Sequence, residues 1–423
     1  MTRCALPGLV TVDHRLEVPL DHADPAAGST TVFAREVVAP RREHDNLPWL
    51  LFLQGGPGMA APRPVDASGW IGRLLQDFRV LLMDQRGTGL STPLTRQTLA
   101  GLAPAEQARR LALHRADSIV RDAELLRREL AGDRPWTILG QSFGGFCALT
   151  YLSLAPHGLA GAIVTGGLAP LTGGPDPVYR ATYRRALAKG SAHFARHPAD
   201  RATFTAVADH LLEHDVRLPA GDRLTVHRLQ TLGIGLGRRS GSPELHHLLE
   251  AAFVEGPTGP ELSDRFLAQV EARTSFLAHP LYALLHEPIY CQGEAPRWSA
   301  ERVRAEFPEL DEPRAPMPTG ETVHPWMFEQ MSALSPLREA AELLAAKDDW
   351  PALYDLDRLA DNEVPVVAAV YDEDLYVESG FSRATAEQVR GLRAWTTNQY
   401  EHDGLSESVD VVDRLLAMLR GEV

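Results

Sequence analysis

Apolar and polar positions follow strand-like patterns at both ends of the chain and helical spacing in the middle. Near the start, "HRLEVPLDH" and "TTVFAREVVAP" are β-branched, partly alternating runs separated by the turn-rich "ADPAAGS", which predicts a hairpin. Four continuous apolar runs follow: "WLLFLQ" (49–54), "RVLLMD" (79–84), "WTILG" (136–140) and "AGAIVTG" (160–166). Short runs without polar alternation suit strands buried on both faces. Residues 104–130 interleave charged and apolar side chains at helical spacing between two of these runs, which makes a β-α-β unit.

This pattern stops near residue 170. From 172 to 355 the chain reads as helices, among them "YRRALAKGSAHFARH", "ELHHLLEAAF" and "LSDRFLAQVEARTSFL", without a convincing buried strand. Strand-like runs return in "VPVVAAVYDED" (364–374) and "RAWTTNQYEHDG" (393–404), and "ESVDVVDRLLAMLRG" reads as a closing helix. The expected fold class is α/β: a mostly parallel central sheet flanked by helices, contributed by 1–171 and 356–423, with a helical cap inserted over 172–355. In such a fold, reactive groups collect at the carboxyl ends of the strands.

Composition narrows the function more than the fold. With 423 residues the chain can bury a sizeable core. A formal charge of −14 argues against a general nucleic-acid binder. No stretch approaches eighteen uncharged apolar residues, and the start lacks a basic region followed by a long apolar one, so no membrane association is expected and the reading is a soluble cytoplasmic protein. Cys4, Cys147 and Cys291 are odd in number and widely spaced, which fits a reducing compartment. No metal-ligand cluster stands out.

The chemistry centres on "GQSFG" (140–144), which follows the strand "WTIL" and precedes a plausible helix. That is the strand, sharp turn and helix context of a G-x-S-x-G nucleophile elbow. A serine hydroxyl needs a base to remove its proton and a carboxylate to orient the base. In a sheet of this kind the acid and then the histidine follow the last strands. His402 in "QYEHDGL" fits the base; "YDED" offers Asp372, Glu373 and Asp374, with Asp374 taken first and Asp372 second. Acyl transfer also needs two backbone N–H donors for the oxyanion: Phe143, directly after the nucleophile, and Gly55 or Gly56 in "LFLQGGPGM". "DQRGTGLS" (84–91) reads as scaffolding, with an expected Asp84–Arg86 hydrogen-bond network, and the alternating glycines of "LGIGLGRR" (232–239) give no cofactor signature.

Taken together, "QGGPG", "DQRGTGLS", "GQSFGG", the late Asp and "EHDG" resemble the prolyl aminopeptidases, or proline iminopeptidases, a serine peptidase family of the α/β-hydrolase fold. The similarity runs over nearly the whole chain and is greatest to the longer members with an enlarged helical cap. It implies release of an N-terminal residue, preferentially proline, from short peptides through an acyl-enzyme on Ser142, with His402 as base and Asp374 as orienting acid. It implies no cofactor. It also implies cap carboxylates for the substrate's free amino group: Glu287 in "LLHEPIYCQG" first, with Glu329 and Glu321 as weaker candidates. Gln54 stands where the family usually has His, and Phe143 where it often has Trp. Cys147 is expected as a small buried side chain one helical turn beyond Ser142. The competing readings are an esterase, amidase or other hydrolase of a small non-peptide substrate on the same scaffold, and a non-catalytic binding protein, which the retained Ser, Asp and His order disfavours.

Overall fold

The apolar runs become the strands of one sheet in the structure, a computed structural model that describes residues 2–257 and 259–423. In chain order the strands are β1 (Arg3–Leu6), β2 (Leu9–Pro19), β3 (Ser29–Val38), β4 (Trp49–Leu53), β5 (Arg79–Asp84), β6 (Trp136–Gln141), β7 (Leu159–Thr165), β8 (Phe253–Gly256), β9 (Gly259–Leu262), β10 (Val366–Tyr371) and β11 (Leu392–Thr397). All but β8 and β9 join one nine-stranded sheet in the order β1-β2-β3-β5-β4-β6-β7-β10-β11. The pairs from β5 to β11 are parallel and the first three are antiparallel.

The central strands carry the core because both their faces are covered. Leu51, Leu81, Ile138 and Val164 pack on one side with the helix Phe143–Leu154, while Leu50, Leu82, Leu139 and Ile163 pack on the other with the closing helix Val409–Arg420. Two elements lie outside the expected pattern. β1, four mostly exposed residues ahead of the predicted hairpin, is too short to register as a strand. The pair β8–β9, antiparallel and largely exposed, interrupts the helical stretch between β7 and β10 for the same reason.

The single helical run expected over 104–130 is two helices, Pro104–Ala112 and Ala116–Ala131. The break is used. Arg115, extended at the start of the second helix, is buried and donates to the carbonyls of Pro288, Cys291 and Pro351 at 2.9, 2.6 and 2.6 Å, with its guanidinium over the Trp350 ring. One side chain thus satisfies three backbone acceptors of the later helical segment.

The expected Asp84–Arg86 network does not form. Asp84 accepts the N–H groups of Ala61 (2.9 Å) and Leu90 (2.7 Å) and pairs with Arg63, so its own loops already saturate it. Arg86 instead crosses to Asp122, with both charged groups fully buried and two contacts of 2.6 Å. Its remaining donors reach the carbonyls of Pro19, Leu20 and Leu113. All five guanidinium N–H bonds are occupied, which is what such a burial requires. Removing one partner leaves the other charge stranded. Asp122→Ala should therefore destabilise the protein by about 3–5 kcal/mol, read as a lowered midpoint in urea unfolding; an unchanged midpoint would show that the pair is dispensable.

Candidate active site

β6 ends at Gln141, and the helix Phe143–Leu154 begins one residue later. Ser142 makes that turn with φ 54° and ψ −124°, a left-handed conformation rare for a residue with a side chain and worth about 1–3 kcal/mol of strain. Close packing holds it there. A Cβ on Gly144 would collide with the carbonyl oxygen of Leu53 at the end of β4, so only glycine lets the helix start sit so near that strand. A Cβ on Gly55 would lie 3.0 Å from the Ser142 Cβ, which places the backbone of the β4 loop directly against the serine. Phe143 supplies the first N–H of the helix, a donor with no acceptor inside it.

His402 follows β11 in a short loop before the turn Gly404–Glu407, and its own N–H is held by the Gly237 carbonyl at 3.2 Å. Its ring Nδ1 lies 2.7 Å from Asp374 Oδ2. Asp374 is 1% exposed, and its other oxygen accepts the N–H groups of Tyr376 and Val377 at 2.8 and 3.1 Å. Asp372 is half exposed and pairs with Arg383 at 3.1 Å, so Asp374 is the carboxylate joined to the imidazole. With Nδ1 engaged, Nε2 is the nitrogen left for the cavity. Burial lowers the His402 pKa, but the charge and hydrogen bond of Asp374 outweigh it, helped by Glu321 and Asp403, and the net shift is upward.

Ser142 and His402 share a cavity of about 340 Å³ with Gln54, Gly55 and Gly56. Its far wall comes from the helical segment and includes Phe276, Tyr282, Met327 and Glu321. Thr231 and Ile234 of the glycine-rich run, which forms the 3₁₀ turn Thr231–Gly237, complete one side, and the Ile234 carbonyl accepts the Tyr376 hydroxyl. The Gln54 side chain also lines the cavity, while its carbonyl accepts the Gln85 amide at 2.9 Å. Cys147 is fully buried, and burial pushes its thiol pKa up, so it is inert.

Two of the three carboxylates offered for amine binding, the favoured Glu287 and the weaker candidate Glu329, are elsewhere. Glu287 is 5% exposed, but its oxygens accept the N–H groups of Ser299 and Ala300 at 2.9 and 2.8 Å, capping the helix Ser299–Arg304 beside a separate apolar recess. Burial outweighs those donors and raises its pKa to about 7. Glu329 is about half exposed and pairs with Arg338 at 2.8 Å. Glu321, the other weaker candidate, is the acid that lines the cavity, where the Tyr282 hydroxyl donates to it. Its loop in "PMPTGET" is the signal that separates it: the other two glutamates belong to helical stretches, whose ends and surfaces claim them. Tyr282, Tyr376 and the cavity's one guanidinium, Arg273, went unremarked in the sequence.

Comparison with known proteins gives a consistent set of relatives. Residues 48–232 match the family model described as alpha/beta hydrolase fold. A proline iminopeptidase of Aeromonas sobria is 52% identical over 419 residues, covering 98% of each chain. The proline iminopeptidase aneH of Aspergillus aculeatus is 36% identical over 421 residues, covering 96% of this chain and 93% of its own.

An imidazole placed like His402 can take a proton from Ser142 only while neutral. Because its pKa is raised, activity should fall with decreasing pH through a midpoint above the ordinary histidine value of about 6.5. Asp374→Asn removes the charge that holds the pKa up, so the acid limb of kcat/KM should move to lower pH while turnover drops by about 10³–10⁴-fold. Asp372→Asn should change neither, and the reverse pattern in the pH profiles would transfer the role to Asp372.

Proposed function

The chain belongs to the proline iminopeptidases, serine aminopeptidases of the α/β-hydrolase fold, and from that premise we propose how its residues divide the work. Ser142 Oγ attacks the carbonyl of the substrate's N-terminal residue while His402 Nε2 takes the hydroxyl proton. Asp374 fixes the imidazole orientation and stabilises the imidazolium that forms. Phe143 and the Gly55–Gly56 backbone donate to the oxyanion. The protonated His402 then gives its proton to the departing amine, and water releases the acyl group by the same steps in reverse order of roles. None of these steps calls on a metal or cofactor.

The observation that carries the reading is Glu321 in the same cavity as Ser142, the one carboxylate among the lining residues. A free, cationic amino or imino group entering a pocket walled by Phe276, Met59, Met327 and Tyr282 loses water and needs a negative partner. A proline ring has the apolar bulk to fill the remainder, so the preferred substrates are short peptides with N-terminal proline. The core parts, 1–171 and 356–423, supply the reacting groups, and the cap, 172–355, supplies the amine site. Three unpaired cysteines fit a cytoplasmic setting, and no helix among the described residues is long and apolar enough to cross a membrane.

A proline arylamide should be turned over and its N-blocked counterpart should not. Glu321→Gln should lower kcat/KM for the free-amine substrate by about 10²-fold, the loss of about 3 kcal/mol expected when one member of a desolvated charge pair is removed. Equal turnover of blocked and free substrates would sink the exopeptidase reading in favour of an esterase or amidase.

Arg273 extends the argument to the rest of the peptide. Among the described residues its guanidinium bonds only Gln269, and it is the sole Arg or Lys lining the cavity, so it suits the carboxylate end of a short peptide. Arg273→Ala should raise KM for a Pro-initiated dipeptide several-fold, about 1 kcal/mol for an exposed pair, and leave an uncharged proline arylamide unaffected. A parallel change with both substrates would exclude this contact.

A further inference from the structure

The segment between β7 and β10 holds a second polar centre, none of whose residues lines the cavity of Ser142. His193 and His197 lie at the end of the helix Pro175–Arg196, Asp200 in the first turn of Pro198–Glu213, and His246 on the helix Gly241–Glu250. Asp200 and His193 are 3% and 2% exposed. His246 Nδ1 sits 2.9 and 3.1 Å from the two Asp200 oxygens, and His193 Nε2 approaches the same carboxylate at 3.1 Å without hydrogen-bond geometry. The His197 ring stacks on His246, centroids 4.2 Å apart. One potential ligand atom from each of His197, Asp200 and His246 falls within 4.8 Å of the others.

Protein atoms alone leave this cluster unsatisfied. His193 Nε2 and His197 Nε2 are buried and have no hydrogen-bond partner among the described residues, although the other His193 nitrogen is held by Ser242 at 2.9 Å. An unpaired buried ring nitrogen costs about 1–3 kcal/mol, and stacking the His197 ring on His246 does nothing for it. His247 and Glu250, on the exposed flank, satisfy each other at 2.9 Å.

We propose that His197, Asp200 and His246 form a binding site for a divalent transition-metal ion of the zinc class, with the fourth position facing His193. Two imidazoles and one carboxylate are borderline donors that suit zinc, cobalt or nickel, whereas calcium and magnesium take oxygen ligands. Bonds of about 2.0–2.1 Å in a tetrahedron place ligand atoms about 3.4 Å apart, so ligand atoms that now lie within 4.8 Å of one another close by up to about 1.4 Å, a movement His246 can share because its side chain is 27% exposed. The ion would replace the His246–Asp200 hydrogen bond and give the ring nitrogens a partner. It would also tie the junction of two long helices to Gly241–Glu250, which packs on the 3₁₀ turn Thr231–Gly237 that walls the active cavity. The role is structural.

Calorimetric titration of the chelator-treated full chain with zinc should show one equivalent bound and a raised Tm. Loss of a direct ligand, in His197→Ala or His246→Ala, should weaken binding by more than about 100-fold, beyond the range typical of outer-shell partners. His247→Ala and His402→Ala should retain it, which separates this site from its exposed neighbour and from the catalytic histidine. Should the ligand variants fail to fold, a zinc-soaked crystal of the wild-type chain decides: an anomalous peak between His197, Asp200 and His246 is the expected result. No binding by the wild type, unchanged binding in both ligand variants, or a peak elsewhere would overturn the proposal.

Discussion

The left-handed backbone at Ser142 is the constraint on which the rest of the site depends. It projects the hydroxyl above the carboxyl end of the sheet and turns the Phe143 N–H outward in one step, yet it is uphill by about 1–3 kcal/mol. Local sequence does not hold such a conformation. Close packing of the helix start on β4 does, through the glycine at 144 that abuts the Leu53 carbonyl and the glycine at 55 that abuts the serine itself. Under the proposed reading, the same approach that enforces the strain sets the Gly55–Gly56 backbone beside the acyl carbonyl on Ser142. On that reading, strain and oxyanion stabilisation are one packing solution.

Charge is arranged around that point with similar economy. His402 is buried, which alone would lower its pKa, but three carboxylates, Asp374, Glu321 and Asp403, push it up. Asp374 is bonded to the ring; Glu321 acts across the cavity. Under the proposed reading, a cationic amine paired with Glu321 cancels part of the field that favours imidazolium. Substrate binding then shifts His402 toward the neutral form that can accept a proton, so one carboxylate serves both recognition and readiness.

Much of this was legible from pattern because burial on both faces forces an unbroken apolar run, and such runs mark β4, β5, β6, β7 and β10 in the sequence. The turn at "GQSFG" was legible because few sequences other than glycine-flanked ones can make it. What escaped was decided by contacts distant in sequence. The helix break before Arg115 depends on carbonyls more than 170 residues away. Arg86 chose Asp122 over Asp84 because loop amides had already filled the nearer carboxylate. The histidine cluster joins residues 193–200 to 246, and each piece alone reads as an ordinary polar helix face.

The choice among the glutamates follows the same rule of donor supply. A carboxylate with two oxygens can accept several hydrogen bonds, and its availability to an external cation falls with every internal donor it acquires. Glu287 is met by two amides of a helix start, and Glu329 by an arginine. Asp374 is met by two amides and an imidazole. Glu321 is met by one tyrosine hydroxyl, which leaves most of its accepting capacity directed at the space where a substrate would lie. Residue type makes all of these acids equivalent; a loop rather than a helical setting gives the first hint in the sequence, and the count of neighbouring donors then distinguishes a structural carboxylate from one that can bind.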